Sequence, residues 1–126
     1  MILLFESFTN TYSMYTGVSK SVYEKVWKNK NITDRLTNVT YDFDLSLWYS
    51  YDFNTGKYDD IVVEIENIPI DAFKYYRDDE YEDDDDVHSM EDMSIEDKIY
   101  YIENYSLFEV YLYPYKDEIK INLIWK

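Results

Sequence analysis

The residues with the most chemistry to offer are carboxylates. Asp78, Asp79, Glu80, Tyr81, Glu82, Asp83, Asp84, Asp85 and Asp86 form a run that is acidic at eight of nine positions. From Asp78 to Asp97 there are twelve acids and no Lys or Arg. The other 106 residues hold 15 acids against 12 bases, so most of the formal net charge of −15 comes from one segment. Like charges packed this closely repel one another, and a chain carries them most readily when they stay solvated or meet a cationic partner. Tyr76 and Tyr81 border or interrupt the run, and Glu91 and Asp92 follow it. Arg pairs with carboxylates and stacks on rings, so acids interleaved with aromatics suit a surface built for Arg-rich sites. The candidate contact set is therefore Asp78 to Asp86 with Glu91, Asp92 and Tyr76. The plain alternative is a solvated loop that aids solubility, with Tyr76 in the core.

Other chemistries find less support. Asp83 to Asp86 would attract divalent cations, but the loop spacing of a built calcium site is absent and no Gly lies nearby. His88 is the only histidine and there is no Cys, which leaves no typical zinc site, disulfide or thiolate. No nucleophile or orienting group is identifiable for His88 to serve. Gly17 and Gly56 are the only glycines, so a phosphate-cradling loop is missing. These residues predict a binding protein and not an enzyme, without metal or cofactor. Lys20, Lys25, Lys28, Lys30 and Arg35 make a locally basic stretch. It reads either as an ordinary exposed helix face or as a patch for nucleic acid or for the acids of a second copy. A net charge of −15 disfavours direct nucleic-acid binding.

Elements must position these groups. The length predicts one domain over 1–126, with an acidic loop or insertion at about 78–93. A chain of this size buries roughly two-thirds of its unfolded surface, enough for a core. Ile2 to Phe8 reads as a strand, and Thr9 to Gly17 as a loop or second strand. Ser21 and Glu24 suggest a capping box for a helix from about Val22 to Lys30, with a further turn through Thr33 to Thr37. Tyr41 to Phe53 alternates apolar and polar over thirteen residues, the pattern of a long strand. With a turn at Asn54 to Lys57 and a strand through Ile61, Val63 and Ile65, it predicts a hairpin. Its outward residues would set Asp42 with Asp44, and Glu64 with Glu66, as rows of charge roughly 6.6 Å apart. Trp48, Tyr111 and Tyr113 would be outward aromatics. Asp71 would cap a short helix through Arg77, anchored by Phe73, and Ser94 a longer one ending near Asn104. Leu107 to Tyr113 and Ile119 to Trp125 predict a final hairpin. The expected class is α+β, a mainly antiparallel sheet of four to six strands with two or three helices on one face.

The 16 Tyr, single Ala and absent Gln also fit the codon bias of an AT-rich bacterial or viral genome. In size and composition the chain resembles phage-encoded anti-defence proteins, including anti-CRISPR and anti-restriction DNA mimics, although no motif is shared. That resemblance implies a small inhibitor that binds a basic nuclease or other nucleic-acid-binding effector and blocks its DNA or RNA site by phosphate mimicry. A bacterial immunity protein against a cognate basic toxin rests on the same physics. A self-associating structural protein is the third expectation, with oligomeric state open. Met1 to Phe5 is apolar but too short for a signal peptide or membrane span. A cytoplasmic protein, in the host cytosol if phage-encoded, is expected.

Overall fold

The computed structural model describes residues 11–77 and 87–125. The predicted strand Ile2 to Phe8 lies outside them. Among the described residues the strands are β1 (Thr11–Val18), β2 (Leu36–Thr40), β3 (Tyr51–Asp52), β4 (Lys57–Tyr58), β5 (Ile61–Pro69), β6 (Phe73–Arg77), β7 (Val87–Ser89), β8 (Leu107–Tyr111) and β9 (Lys120–Trp125). Seven form one sheet in the order β7-β6-β8-β2-β1-β5-β9, and every ladder in it is antiparallel. Three helices join it: α1 (Lys20–Val22, running into a π-helical turn over Tyr23–Trp27), α2 (Phe43–Trp48) and α3 (Ile95–Asn104). The chain is α+β, with more strands than the sequence suggested.

Pairing sorts the side chains. Met14, Thr16 and Val18 lie opposite Ile65, Val63 and Ile61, and all six are buried. Val39 pairs with Phe108, and Phe108 with Tyr76, on the same face. Phe73 is at the centre, edge-on to both Tyr12 and Phe108 with centroids 5.6 and 5.4 Å away. Trp27 of α1 and Ile102 of α3 join this cluster. Each fully buried side chain of this kind contributes roughly 1.5–3 kcal/mol. The Ser94 hydroxyl caps α3, accepting from the Asp97 N–H at 3.2 Å, as the Ser-x-x-Asp pattern predicts.

Helix α2 lies on the opposite face. Phe43 meets the Tyr15 ring edge-on at 5.7 Å. The Ser46 carbonyl occupies the space a Gly17 side chain would fill, and the Ser50 nitrogen lies 2.9 Å from that position. Ser46 and Ser50 are fully buried and satisfy themselves locally, donating to the Phe43 and Leu47 carbonyls at 2.6 and 2.7 Å. Both faces of β5 are therefore covered at its start, where Val62 is as buried as Val63.

Several sequence expectations are corrected. Tyr41 to Phe53 is not a long strand. Both edges of β1 are taken by β2 and β5, Asp42 caps a helix by accepting from the Leu45 N–H at 3.2 Å, and Gly17 gives that helix a dock. What remains of the predicted hairpin is the two-residue β3–β4 ladder around Asn54 to Lys57, with Gly56 at φ +72°. Thr33 to Thr37 is not helical; the chain extends into β2. Ser19, not Ser21, caps α1. Past Pro69 only a 3-10 turn over Ile70–Ala72 forms, because Phe73 and Tyr76 are drawn into the sheet beside β8. Asp71 does not cap it; its carboxylate lies 3.9 Å from the amine of buried Lys98. The last two strands do not form a hairpin either. β8 pairs with β2 and β6, and β9 pairs with β5 across the sheet.

Gly17→Ala is expected to cost about 3 kcal/mol, because the obstacle is helix backbone and not a movable side chain. Urea unfolding would show a lowered midpoint. Partial burial of a side chain that stays 40% exposed, with Tyr12 and Glu103 nearby, pushes the Tyr41 phenol up to about 12 from its ordinary 10.0. Below pH 10 this group's stabilising effect is fully present. It is lost as pH rises from about 10 to about 12, since the unfolded chain releases the proton first. Urea midpoints across that window should fall less steeply in Tyr41→Phe than in the parent chain.

Candidate protein interaction surface

Asp78, Asp79, Glu80, Tyr81, Glu82, Asp83, Asp84, Asp85 and Asp86 lie outside the described residues. Their points of attachment are described. Arg77 and Val87, on either side of the run, are Cα partners at the end of the β6–β7 ladder. This ladder is one edge of the large sheet.

Tyr76 holds that edge. It is buried, 8% exposed, so it belongs to the core and is not the surface contact proposed for it. Its place in β6 turns it to the core face, opposite Phe108 and His88. The His88 ring stacks on it at 5.0 Å, Tyr101 stacks at 4.5 Å, and Tyr105 lies at 4.8 Å. Aromatic pairs of this geometry add about 0.5–1.5 kcal/mol each beyond their burial. The stack therefore ties the edge hairpin to α3 two residues before the acidic run begins.

Glu91 and Asp92 are exposed. They follow β7 at its far end from the acidic run, about 10 Å of strand away. Glu64 and Glu66 do make the expected row on a strand. The Asn122 amide donates to both, at 3.3 and 2.7 Å, and Lys120 lies 3.8 Å from Glu66. Asp42 and Asp44 do not, since both belong to the start of α2. Among the described residues no group of three or more His, Asp or Glu is placed to hold a metal ion. None of the described helices is long and apolar enough to cross a membrane.

The sequence missed a second surface. Trp48 was singled out as an outward aromatic, and it is 67% exposed, but from a helix. Around it stand Phe53, 90% exposed, and Tyr58. Trp48 meets Tyr58 at 6.0 Å, Tyr58 meets Tyr51 at 5.0 Å, and Tyr51 meets Phe53 at 4.9 Å, all edge-on. The Trp48 indole lines two recesses, one of about 390 Å³ that also includes Trp27, Arg35 and Phe53, and one of about 330 Å³ with Asp44, Leu47, Tyr58 and Asp60. Tyr113 is also exposed, away from both recesses, with the Lys116 amine 4.7 Å over its ring. Phe43 with Leu47 and Ser46 with Ser50, each four apart, were the helical signal that could have revealed this cluster.

Tyr76→Ala is expected to cost about 3 kcal/mol, in line with other buried aromatic truncations. Phe53→Ala should change stability by no more than about 0.5 kcal/mol, as for other surface substitutions. Denaturation of both variants checks the contrast between an internal anchor and an external ring. Comparison with known protein families, with characterised proteins and with solved structures finds no match.

Proposed function

We propose that this chain is a small acidic inhibitor. It docks on a basic, nucleic-acid-handling protein and blocks its DNA or RNA site by presenting carboxylates where phosphates would bind. It acts by occupancy and not by catalysis. The observation that carries this reading is the concentration of charge: eight acids in nine residues, joined at both ends to a paired sheet edge. A protein that binds nucleic acid has a cationic groove shaped for closely spaced negative charge. A dense anionic segment raises the encounter rate with such a groove and weakens as salt screens it. The Glu64 and Glu66 row, held by Asn122, adds charge on a rigid support.

Size and charge suit an inhibitor of the phage anti-defence type, directed at a CRISPR or restriction effector. The same physics serves an immunity protein that neutralises a basic toxin, and the identity of the target separates the two. The exposed lysines of α1 give self-association its own specific basis, since they offer cations to the acids of another copy.

The test is capture from lysate of the source cells on the immobilised chain. A basic nucleic-acid-binding protein is expected to be retained at low salt, released at high salt and displaced by duplex DNA or by RNA. Reversing Asp83 to Asp86 to Lys is expected to weaken capture by at least about tenfold. Retention unaffected by competing nucleic acid or by the reversal would rule the reading out.

A further inference from the structure

The smaller recess has a composition unlike the rest of the acidic surface. It lies between α2 and the β3–β4 hairpin, holds about 330 Å³ and is lined by Asp44, Leu47, Trp48, Tyr58 and Asp60. That is the small end of ligand-site volumes, which run from roughly 300 to 1,000 Å³, and suits one side chain better than a cofactor. Trp48 and Tyr58 form its aromatic wall, edge-on at 6.0 Å and both exposed. Its only charged residues are two carboxylates.

We propose that this recess is a receptor for one arginine side chain of a partner protein. A guanidinium is flat and weakly hydrated, stacks on ring faces and pairs with carboxylates through a fixed fork of N–H donors. Trp48 and Tyr58 supply the faces, and Asp44 and Asp60 supply the acceptors. An apolar occupant would instead strip water from two carboxylates without pairing them. A lysine ammonium is more strongly hydrated and cannot stack as a plane.

The backbone that carries the two acceptors is set in place before any ligand arrives. Asp60 has φ +55°, a left-handed backbone that Asp tolerates better than most residues. Its N–H donates to the buried Ser50 hydroxyl at 3.1 Å, and the Asp59 N–H donates to the Ser50 carbonyl at 3.1 Å. The Asp59 carboxylate accepts from the Lys20 N–H at 2.7 Å, which ties this turn to α1. Asp44 is in the first turn of α2, fixed by the Asp42 cap.

The receptor rests on the proposed docking only for which protein carries the arginine. The probe is N-acetyl-arginine methylamide, titrated into the full chain while the ring resonances of Trp48 and Tyr58 are followed by NMR. Saturable shifts in the millimolar range are expected. The lysine and citrulline counterparts should bind at least about fivefold more weakly, the first lacking the fork and the second the charge. Asp44→Asn with Asp60→Asn should weaken binding about tenfold or more while preserving the left-handed turn. Trp48→Leu should abolish it, and Asp83 to Asp86→Asn should leave it unchanged. The proposal is overturned by shifts that do not saturate, by equal binding of either counterpart, or by binding that survives Trp48→Leu. Shifts of the same resonances on raising protein concentration alone would overturn the assignment to a different partner, and would place an arginine of a second copy, Arg35 or Arg77, there. Capture and the titration fail separately: loss of one leaves the other standing.

Discussion

One missing side chain decides much of this structure. Gly17 is in β1, an interior strand of the sheet, and the backbone of α2 lies where any larger residue would project. The contact brings Ser46 and Ser50 into the interior, where each closes a hydrogen bond onto its own helix. Ser50 in turn receives the N–H groups of Asp59 and Asp60, through its carbonyl and its hydroxyl. The hairpin bearing Tyr58 is thereby held against Trp48. Close helix–strand packing, buried serines and exposed aromatics are consequences of the same approach.

A second constraint operates at the other edge of the sheet. A dense acidic run pushes its surroundings apart, and the strands that carry it are short. β7 has three residues and could not hold a hairpin by ladder bonds alone. Tyr76 compensates, stacked on His88 and on Tyr101 of α3, with Tyr105 just past the helix tilted against it. The run thus starts from an anchored position, which lowers the ordering cost of presenting it to a partner. Abundant tyrosine, whatever its origin in codon usage, supplies the material for both the buried stack and the exposed cluster. Each ring offers large area with few rotatable bonds.

Sequence patterns proved legible where local chemistry and tertiary context agree. The capped α3 was legible because Ser94 and the Ile95, Ile99, Ile102 spacing say the same thing. The class and the inward Ile61, Val63 and Ile65 were legible from period two. Tyr41 to Phe53 was misread because alternation in sequence does not create a strand edge to pair with, and β1 has none to spare. Phe73 to Arg77 was misread because short-range capping at Asp71 is worth about 1 kcal/mol, less than burying Phe73 and Tyr76. The acidic character of the surface was plain from composition. The aromatic recess was not, since Trp48, Tyr58 and Asp60 become neighbours only after the helix and the small hairpin fold together.

The central claim is that carboxylates of this chain stand in for phosphates on a cationic surface. A structure of the chain bound to a captured basic partner tests it most directly. The account predicts carboxylates of Asp78 to Asp86 within ion-pairing distance of Lys and Arg side chains in the partner's nucleic-acid groove. A complex in which that run faces open solvent while the groove stays accessible would contradict it.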